Sequence, residues 1–548
     1  MRYFRALVIF AFCLMVSAMG LFAQDSNLKE RLLGIPARIA PLTPLPGPQG
    51  FQDHIVDGKL VLTLDDAIRL AMTNNTDIRV DQAGVDFAQN NVHRQFAPFD
   101  PVANASFLDQ RVKTQTSSQL QGAEVLNTLT QTTQFGYTQT FPTGTNFQTF
   151  FGNIKSSTNS GFATLNPYFN TSWSFQVTQP LLKNFGVFAN RAPIYIAQRN
   201  LKQSQATFEA EVNDVLLAVI SQYWNVVLAR ESLRVQNKSY EEAQQSYERD
   251  KEALSLGALP PLDIYRSESE VAARRVNVIQ AEYALKQSED QFRQIIAADR
   301  DPVLSAIDLT LTEKPEPPET LLDIDIASAL SLALANRPEL EAAQQQLAAD
   351  ALNMRLAHNN LRPDLELSGL YSPTGLGGNA YDVSTVPPTL LSTGGLGDSL
   401  SQLFGLKYPT YSAALTLQLP IKNHSAEANL ADAMVSQRND QYREARTAQT
   451  ITLNVKNAVH LLEQAKVSLQ AAKVSEDLAR KSLQAEQRKY QLGGSTIFFV
   501  LDAQTQLANA EFALAQAQTN YQTAVAAVDH ATGKLLEHHQ VQITALRK

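Results

Sequence analysis

Between about Ser425 and Leu535 the chain sets apolar residues in strict alternating steps of four and three. On the outgoing run they are Ile451, Val455, Ala458, Leu462, Ala465, Leu469 and Ala472. After a break at Leu492, Gly493, Gly494 and Ser495 they are Ala503, Leu507, Ala510, Leu514, Ala517, Tyr521, Ala524, Val528, Ala531 and Leu535. A seam this narrow, held this long, winds helices on each other and does not build a globular core. The break therefore joins two antiparallel rods. Alanine at every second seam position keeps the knobs small and the helix axes close. At 1.5 Å per residue the outgoing rod of about 65 residues would reach roughly 95 Å, far longer than a compact domain needs.

What the rods are attached to follows from the rest of the chain. Residues 1–23 carry Arg2 and Arg5, then an apolar run from Ala6 to Leu21, then Phe22-Ala23-Gln24, the three parts of an export signal cleaved near Ala23. The only cysteine, Cys13, lies inside that segment behind the bulky Phe12, which suits a lipoprotein site poorly. The exported chain would then hold no disulfide and no cysteine-based metal site. With 44% hydrophobic and 18% charged residues the chain is not disordered by composition. Its net charge of −8, with basic residues scattered, argues against nucleic acid as a partner. Nothing after the signal offers about 18 consecutive apolar residues, so no membrane-spanning helix is expected. Export without such a helix leaves a soluble exported protein or a β-barrel.

Residues 24–62, with Pro36, Pro41, Pro44, Pro46 and Pro48, read as an extended linker. A helix opens at the cap Thr63, with Asp65 and Asp66 complementing its dipole, and runs to about Arg94. Between Val102 and Gln179 the period falls to two: Trp173, Phe175 and Val177 alternate with Ser172, Ser174, Gln176 and Thr178, and Phe135, Tyr137 and Phe141 with Gly136, Thr138 and Thr140. One face is aromatic and the other hydroxyl and amide, an alternation that a soluble sandwich would share; Tyr168, Trp173, Tyr137 and Phe147, residues that favour a lipid interface, lean it toward a lipid-facing barrel. Helix returns near Ile194, breaks at Gly257 to Pro261, and resumes from Asp263 to about Ala297. A Pro-rich link at 311–323 follows, and the plan then restarts. Ala67 to Ile78 match Ala329 to Leu340 without a gap; strands with Leu365, Leu367, Gly369 and Tyr371 and with Leu415, Leu417 and Leu419 follow, then the rods. The chain is a duplication, 63–310 and 324–535, each half reading helix, strands, helical hairpin, with a tail at 536–548.

A few strands per half cannot close on themselves, and hydrocarbon cannot solvate their edges. Copies must pool their strands into one barrel and their hairpins into one hollow cylinder. No catalytic constellation, phosphate loop or metal-spaced cluster is apparent. The only adjacent histidines, His538 and His539, sit in the tail. An enzyme is not expected, nor a cofactor.

The opening Leu64 to Ile78, the segments Gln179-Pro180-Leu181-Leu182 and Leu417-Gln418-Leu419-Pro420, the hairpin tips and Ala531-Thr532-Gly533-Lys534-Leu535 together resemble the TolC family of outer-membrane efflux proteins, in order and twice over. The resemblance implies a mainly α fold with transmembrane β: long coiled-coil hairpins plus about four strands per protomer in a homotrimeric twelve-stranded barrel. It implies a duct from the periplasm through the outer-membrane lipid, coupled to a periplasmic adaptor (membrane fusion) protein and an inner-membrane pump. The competing reading is a periplasmic coiled-coil scaffold or adaptor protein that does not itself form a pore. Val102 to Gln179 has room for two strand pieces beyond the family pattern; the extra hairpin around Pro142 to Thr145 is expected as an external loop, the alternative being an enlarged barrel.

The tips Gly257 and Gly493–Gly494 would lie farthest from the membrane, where the family constricts its entrance. Aligning the tip glycines puts Asp263 and Phe499 at matched positions and Asp502 three residues beyond Phe499. The family usually has acids at both later positions of the second hairpin; Phe499 replaces one. Asp502 would form a carboxylate ring with raised pKa, and Phe499 an apolar constriction. Asp263 and Asp502 equally suit helix-start acids, and Phe499 could pack within its own hairpin. Tyr490 and Asp263 match the family's tip latch, whereas its arginine link falls on Ser495.

Overall fold

The computed structural model describes residues 46–116, 122–257, 261–318, 320–385 and 387–541; the signal peptide and most of the linker expected above lie outside these. The first half runs β1 (Ile55–Val56), β2 (Lys59–Leu62), α1 (Leu64–Asn74), α2 (Thr76–Arg94), β3 (Val102–Gln115), β4 (Val125–Thr140), β5 (Asn146–Thr158), β6 (Leu165–Pro180), α3 (Gly186–Ser255), α4 (Pro261–Ile295), α5 (Pro302–Ala306) and β7 (Asp308–Leu311). The second runs α6 (Ile326–Asn336), α7 (Pro338–Asn360), β8 (Asp364–Asp382), β9 (Thr389–Ser392), α8 (Leu396–Phe404), β10 (Tyr408–Gln418), α9 (His424–Gln491), α10 (Ile497–Thr532) and α11 (Leu535–His538).

The duplication is visible in where the helices start and break. Thr63 caps α1 in a reciprocal capping box with Asp66, and Asp325 caps α6 through the Ser328 amide. The helix expected to run unbroken to Arg94 is interrupted at Asn75, whose backbone leaves the helical region and whose side chain caps α2. Its counterpart Arg337 is extended too, because Pro338 follows it and disfavours helix at the preceding residue.

Each hairpin pairs a long helix with a short one: α3 has 70 residues and α4 has 35, while α9 has 68 and α10 has 36. The unmatched halves of α3 and α9 pack against α2 and α7. The slab is therefore four helices wide along its length, α2, α3, α7 and α9 near the strands and α4, α3, α10 and α9 toward the tips. The seam is where the spacing put it. Ile451, Val455, Leu462 and Leu469 meet Ala517, Tyr521, Ala524 and Val528, all buried. α3 starts earlier than Ile194 and carries Pro193 within it. It is also long and apolar enough to cross a membrane, yet 56% of that apolar window is buried in this chain. Its Val212 to Val227 stretch packs with α1 and with Phe292 of α4.

Residues 51–62, expected as linker, join this core. Phe51, Leu60 and Leu62 are buried, and β2 pairs in parallel with β7, tying the start of the chain to the end of the first half.

The fold class is the expected one, helical hairpins joined to a β-sheet, but the strand number is corrected. A single antiparallel sheet runs β10-β8-β6-β5-β4-β3, with β9 on the far end of β8. That is six long strands where about four were expected. The hairpin around Pro142 to Thr145, read as an external loop, is bonded along its length to β3 on one side and β6 on the other. A free two-stranded hairpin is marginal in water, and pairing both its edges removes that cost. Its side chains also keep the phase of their neighbours. Phe135, Phe151 and Trp173 stand in one row, and Tyr371 and Tyr411 in another beside Phe175. The opposite face carries Ser106, Gln134, Gly152, Ser172 and Thr374. The pattern is strongest near the helices; farther along, Ile154 joins Thr132 on the hydroxyl face, and Asp109, Gln131 and Lys155 lie on the aromatic one. Phe150 also breaks it and is accommodated by Gly136, where any Cβ would sit 2.7 Å from its ring. At the end remote from the helices α8 folds over the aromatic face, with Ser399 bonded to Thr171 (2.6 Å) and Phe404 edge-on to Trp173.

Candidate tunnel entrance at the hairpin tips

Both hairpins turn through a glycine at positive φ, Gly257 (+74°) and Gly493 (+73°), the left-handed backbone that ends a helix without a Cβ clash. At the second tip the amides of Leu492, Gly493 and Gly494 return to the carbonyls of Arg488, Tyr490 and Lys489. The preceding leucines, Leu256 and Leu492, are 78% and 82% exposed, with Leu262 and Tyr265 beside the first tip nearly as bare.

Just behind the second tip, Leu483, Ile497, Val500, Leu501 and Leu507 form a small core against Tyr490. Phe499 is not part of it. Its ring is half exposed and meets Phe498 edge-on at 5.4 Å, not buried between the helices of its hairpin. Asp502 is exposed one turn on and accepts a hydrogen bond from Gln506 (2.7 Å). Asp263 lies in the first turn of α4, but its side chain falls outside the described residues. The Tyr490 hydroxyl donates to Asp250 on α3 (3.3 Å), which also accepts from Ser267 of α4. Tyr490 thus ties the second hairpin to the first through Asp250.

Sequence reasoning missed the strongest tie between the hairpins. Arg274 of α4 is 4% exposed and donates to Glu270 and Ser239 of its own hairpin, and across to the Thr505 hydroxyl (2.9 Å) and Leu501 carbonyl (3.3 Å) of α10. Lys238 bridges to Glu511 of α10 at 2.6 Å nearby. Burial pushes the Glu242 carboxyl up, Lys238 opposing this and Glu511 adding to it. The spacing did hold a signal: Ser267, Val271, Arg274, Val278 and Ala281 step by four and three, so α4 carries a seam whose knobs include an arginine. Between the hairpins above the tips lies a polar groove of about 990 Å³, lined by Glu242, Gln245, Arg249, Gln487, Gln491 and Gln504. Among the described residues no cluster of metal-ligating side chains occurs.

Comparison with known proteins agrees with this architecture. The family model described as outer membrane efflux protein matches residues 148–298 and 329–534, one segment in each half of the duplication. Outer membrane protein TolC of Escherichia coli (strain K12) is 24% identical over 372 residues, 67% of this chain and 70% of that protein. Nodulation protein T of Rhizobium leguminosarum bv. trifolii is 21% identical over 366 residues, 64% of this chain and 69% of that protein. Among solved structures, the Campylobacter jejuni CmeC outer membrane channel superposes with a TM-score of 0.62 at 16% identity, over 88% of this chain and 89% of that one. The outer membrane protein VceC from Vibrio cholerae does so with 0.59 at 16%, over 86% and 96%. The duplicated helical hairpins, the two-faced sheet and the family match together make this chain a member of the outer membrane efflux protein family.

Proposed function

We propose that three copies close into one duct that crosses the outer membrane through their pooled strands and stands in the periplasm on their pooled hairpins. It would carry small molecules or proteins outward, docking by its tips to a periplasmic adaptor and an inner-membrane pump. The observation that carries this is the pair of bare edges at opposite ends of the sheet. β3 and β10 are exposed at every residue, on a sheet whose one face is aromatic and whose other is hydroxyl and amide. An open edge is intolerable in lipid, and β10 of one copy against β3 of the next removes it.

The helices support the same assembly. Val80 and Phe87 on α2 and Val435, Leu453, Val467 and Val474 on α9 are exposed at the two flanks of the slab, apolar area that a neighbouring copy would cover. Three duplicated slabs put six tips around one axis. Phe499 and Asp502 would then recur around the entrance, Phe499 as an apolar constriction and Asp502 as an acidic ring. Asp263 and Tyr490 would stand at the junctions between hairpins. The exposed Leu256 and Leu492 offer the apolar contacts an adaptor would cover.

Expression in a Gram-negative host followed by membrane fractionation and planar-bilayer recording tests this. The expected result is an outer-membrane trimer that survives unboiled gel electrophoresis and conducts. A water-soluble monomer that makes no pores would overturn it, and would leave the poreless scaffold as the better reading.

A further inference from the structure

We infer that the barrel of this protein is closed by eighteen strands, six from each copy, so that its outer-membrane passage is wider than four strands per copy would give. The inference rests on the trimeric duct proposed above and concerns only how many strands line it.

Three observations carry it. First, β4 and β5 have 16 and 13 residues, each more than the 9–11 that a tilted strand needs to cross hydrocarbon. Second, they share the two-sided pattern of their neighbours. Phe135, Tyr137, Phe147 and Phe151 fall on the aromatic face, and Thr132, Gln134 and Gln148 on the hydroxyl and amide face, in register with β3 and β6. A segment standing in water has no reason to keep that phase. Third, their connection returns at the level where strands hand over to helices. Phe141 and Thr145 close the turn, and the Gly186 amide that begins α3 donates to the Thr143 carbonyl (3.2 Å). The hairpin therefore spans the same height as the strands beside it.

The geometry of the handover agrees. α2, α3, α7 and α9 of three copies place twelve helices there, and at 8–10 Å between axes they describe a ring about 96 to 120 Å around. Strands about 4.8 Å apart and tilted about 40° each take roughly 6.3 Å of circumference, so eighteen of them span about 113 Å and twelve only about 75 Å. Eighteen strands continue the helical ring without a step. Since barrel diameter grows nearly in proportion to strand number, the passage is about one and a half times as wide as with twelve.

Single cysteines in the full-length chain, made on a Cys13→Ser background, test this in proteoliposomes with a charged, membrane-impermeant thiol reagent. Gln134→Cys and Gln148→Cys should be labelled from the lumen, while Phe135→Cys and Phe151→Cys, facing lipid, should lose labelling. Labelling of all four, in a preparation that still runs as a trimer and conducts, would overturn the eighteen-strand barrel and leave the duct standing. A chain that neither trimerises nor conducts would overturn both.

Discussion

Arg274 shows what one side chain can do inside a narrow seam. A guanidinium that is almost wholly buried must satisfy its donors within the protein, and its partners come from both hairpins. Arg274→Ala leaves the buried Ser239 hydroxyl without its donor and removes the ties across to Thr505 and Leu501, which keep their own bond to each other, and should cost about 2–3 kcal/mol. Arg274→Lys, which keeps the charge but not the fork, should recover only part of this; thermal melting of the solubilised protein with each variant reads the difference. Asp350 on α7 is buried, with one carboxylate oxygen lacking a partner. Burial pushes its carboxyl up to about 6, with Asp440 of α9 adding to the rise. A folded-state value above the unfolded one near 3.8 means that this site contributes stability below about pH 4, and the contribution is lost as pH rises through about 6. Asp350→Asn should therefore melt higher than the parent at pH 7.5, by an amount on the order of 2 kcal/mol, and nearly the same at pH 4. A parent whose stability does not fall across that window would remove the pair from the account.

At the scale of elements the two hairpins are alike in length and unlike in chemistry. The seam of α9 and α10 is aliphatic, with Leu462 fully buried at its middle, while the seam of α3 and α4 places Ser239, Ser246, Asp250, Ser267 and Arg274 at buried positions. Leu462→Ala opens a cavity and should lower stability by about 2–5 kcal/mol in chemical denaturation, since straight helices cannot collapse onto it. The aliphatic seam was legible because a period of 3.5 is local and repeats many times. The polar seam was passed over because serine and arginine do not register in an apolar count, although Ser267 and Arg274 kept the same steps. The burial of Phe51, Leu60 and Leu62 was hidden for another reason. β2 pairs with β7 almost the whole first half away in sequence, and five prolines upstream made the stretch look like linker. The alternation in β4 and β5 was read correctly, but alternation alone does not say which strands are neighbours. That information lies in the register, which places Phe135 beside Phe151 and Phe151 beside Trp173.

For the whole molecule, the threefold closure proposed above would turn single tip residues into rings, and the duplication would make the rings mixed. The position six residues after the tip glycine is Asp263 in one hairpin and Phe499 in the other, so six tips would alternate acid and aromatic around the axis. Phe499 already stands half exposed with Phe498 against it and Arg266 over the Phe498 ring, as an outward-pointing aromatic pair and not as core. An aromatic ring at a constriction resists water by dewetting, and in the proposed duct the carboxylates of Asp502, one turn along the same helix, would set the sign of the field that a permeating ion meets. The two contributions separate in a planar bilayer. Phe499→Ala should raise single-channel conductance with little change in ion preference. Asp502→Asn should reduce cation over anion preference, seen as a reversal potential moving toward zero in a salt gradient, with conductance nearly kept. Because Asp502 is exposed and bonded only to Gln506 among the contacts described for it, its amide variant leaves the fold intact, and an unchanged reversal potential in a conducting trimer would place the charge-selecting region elsewhere along the duct.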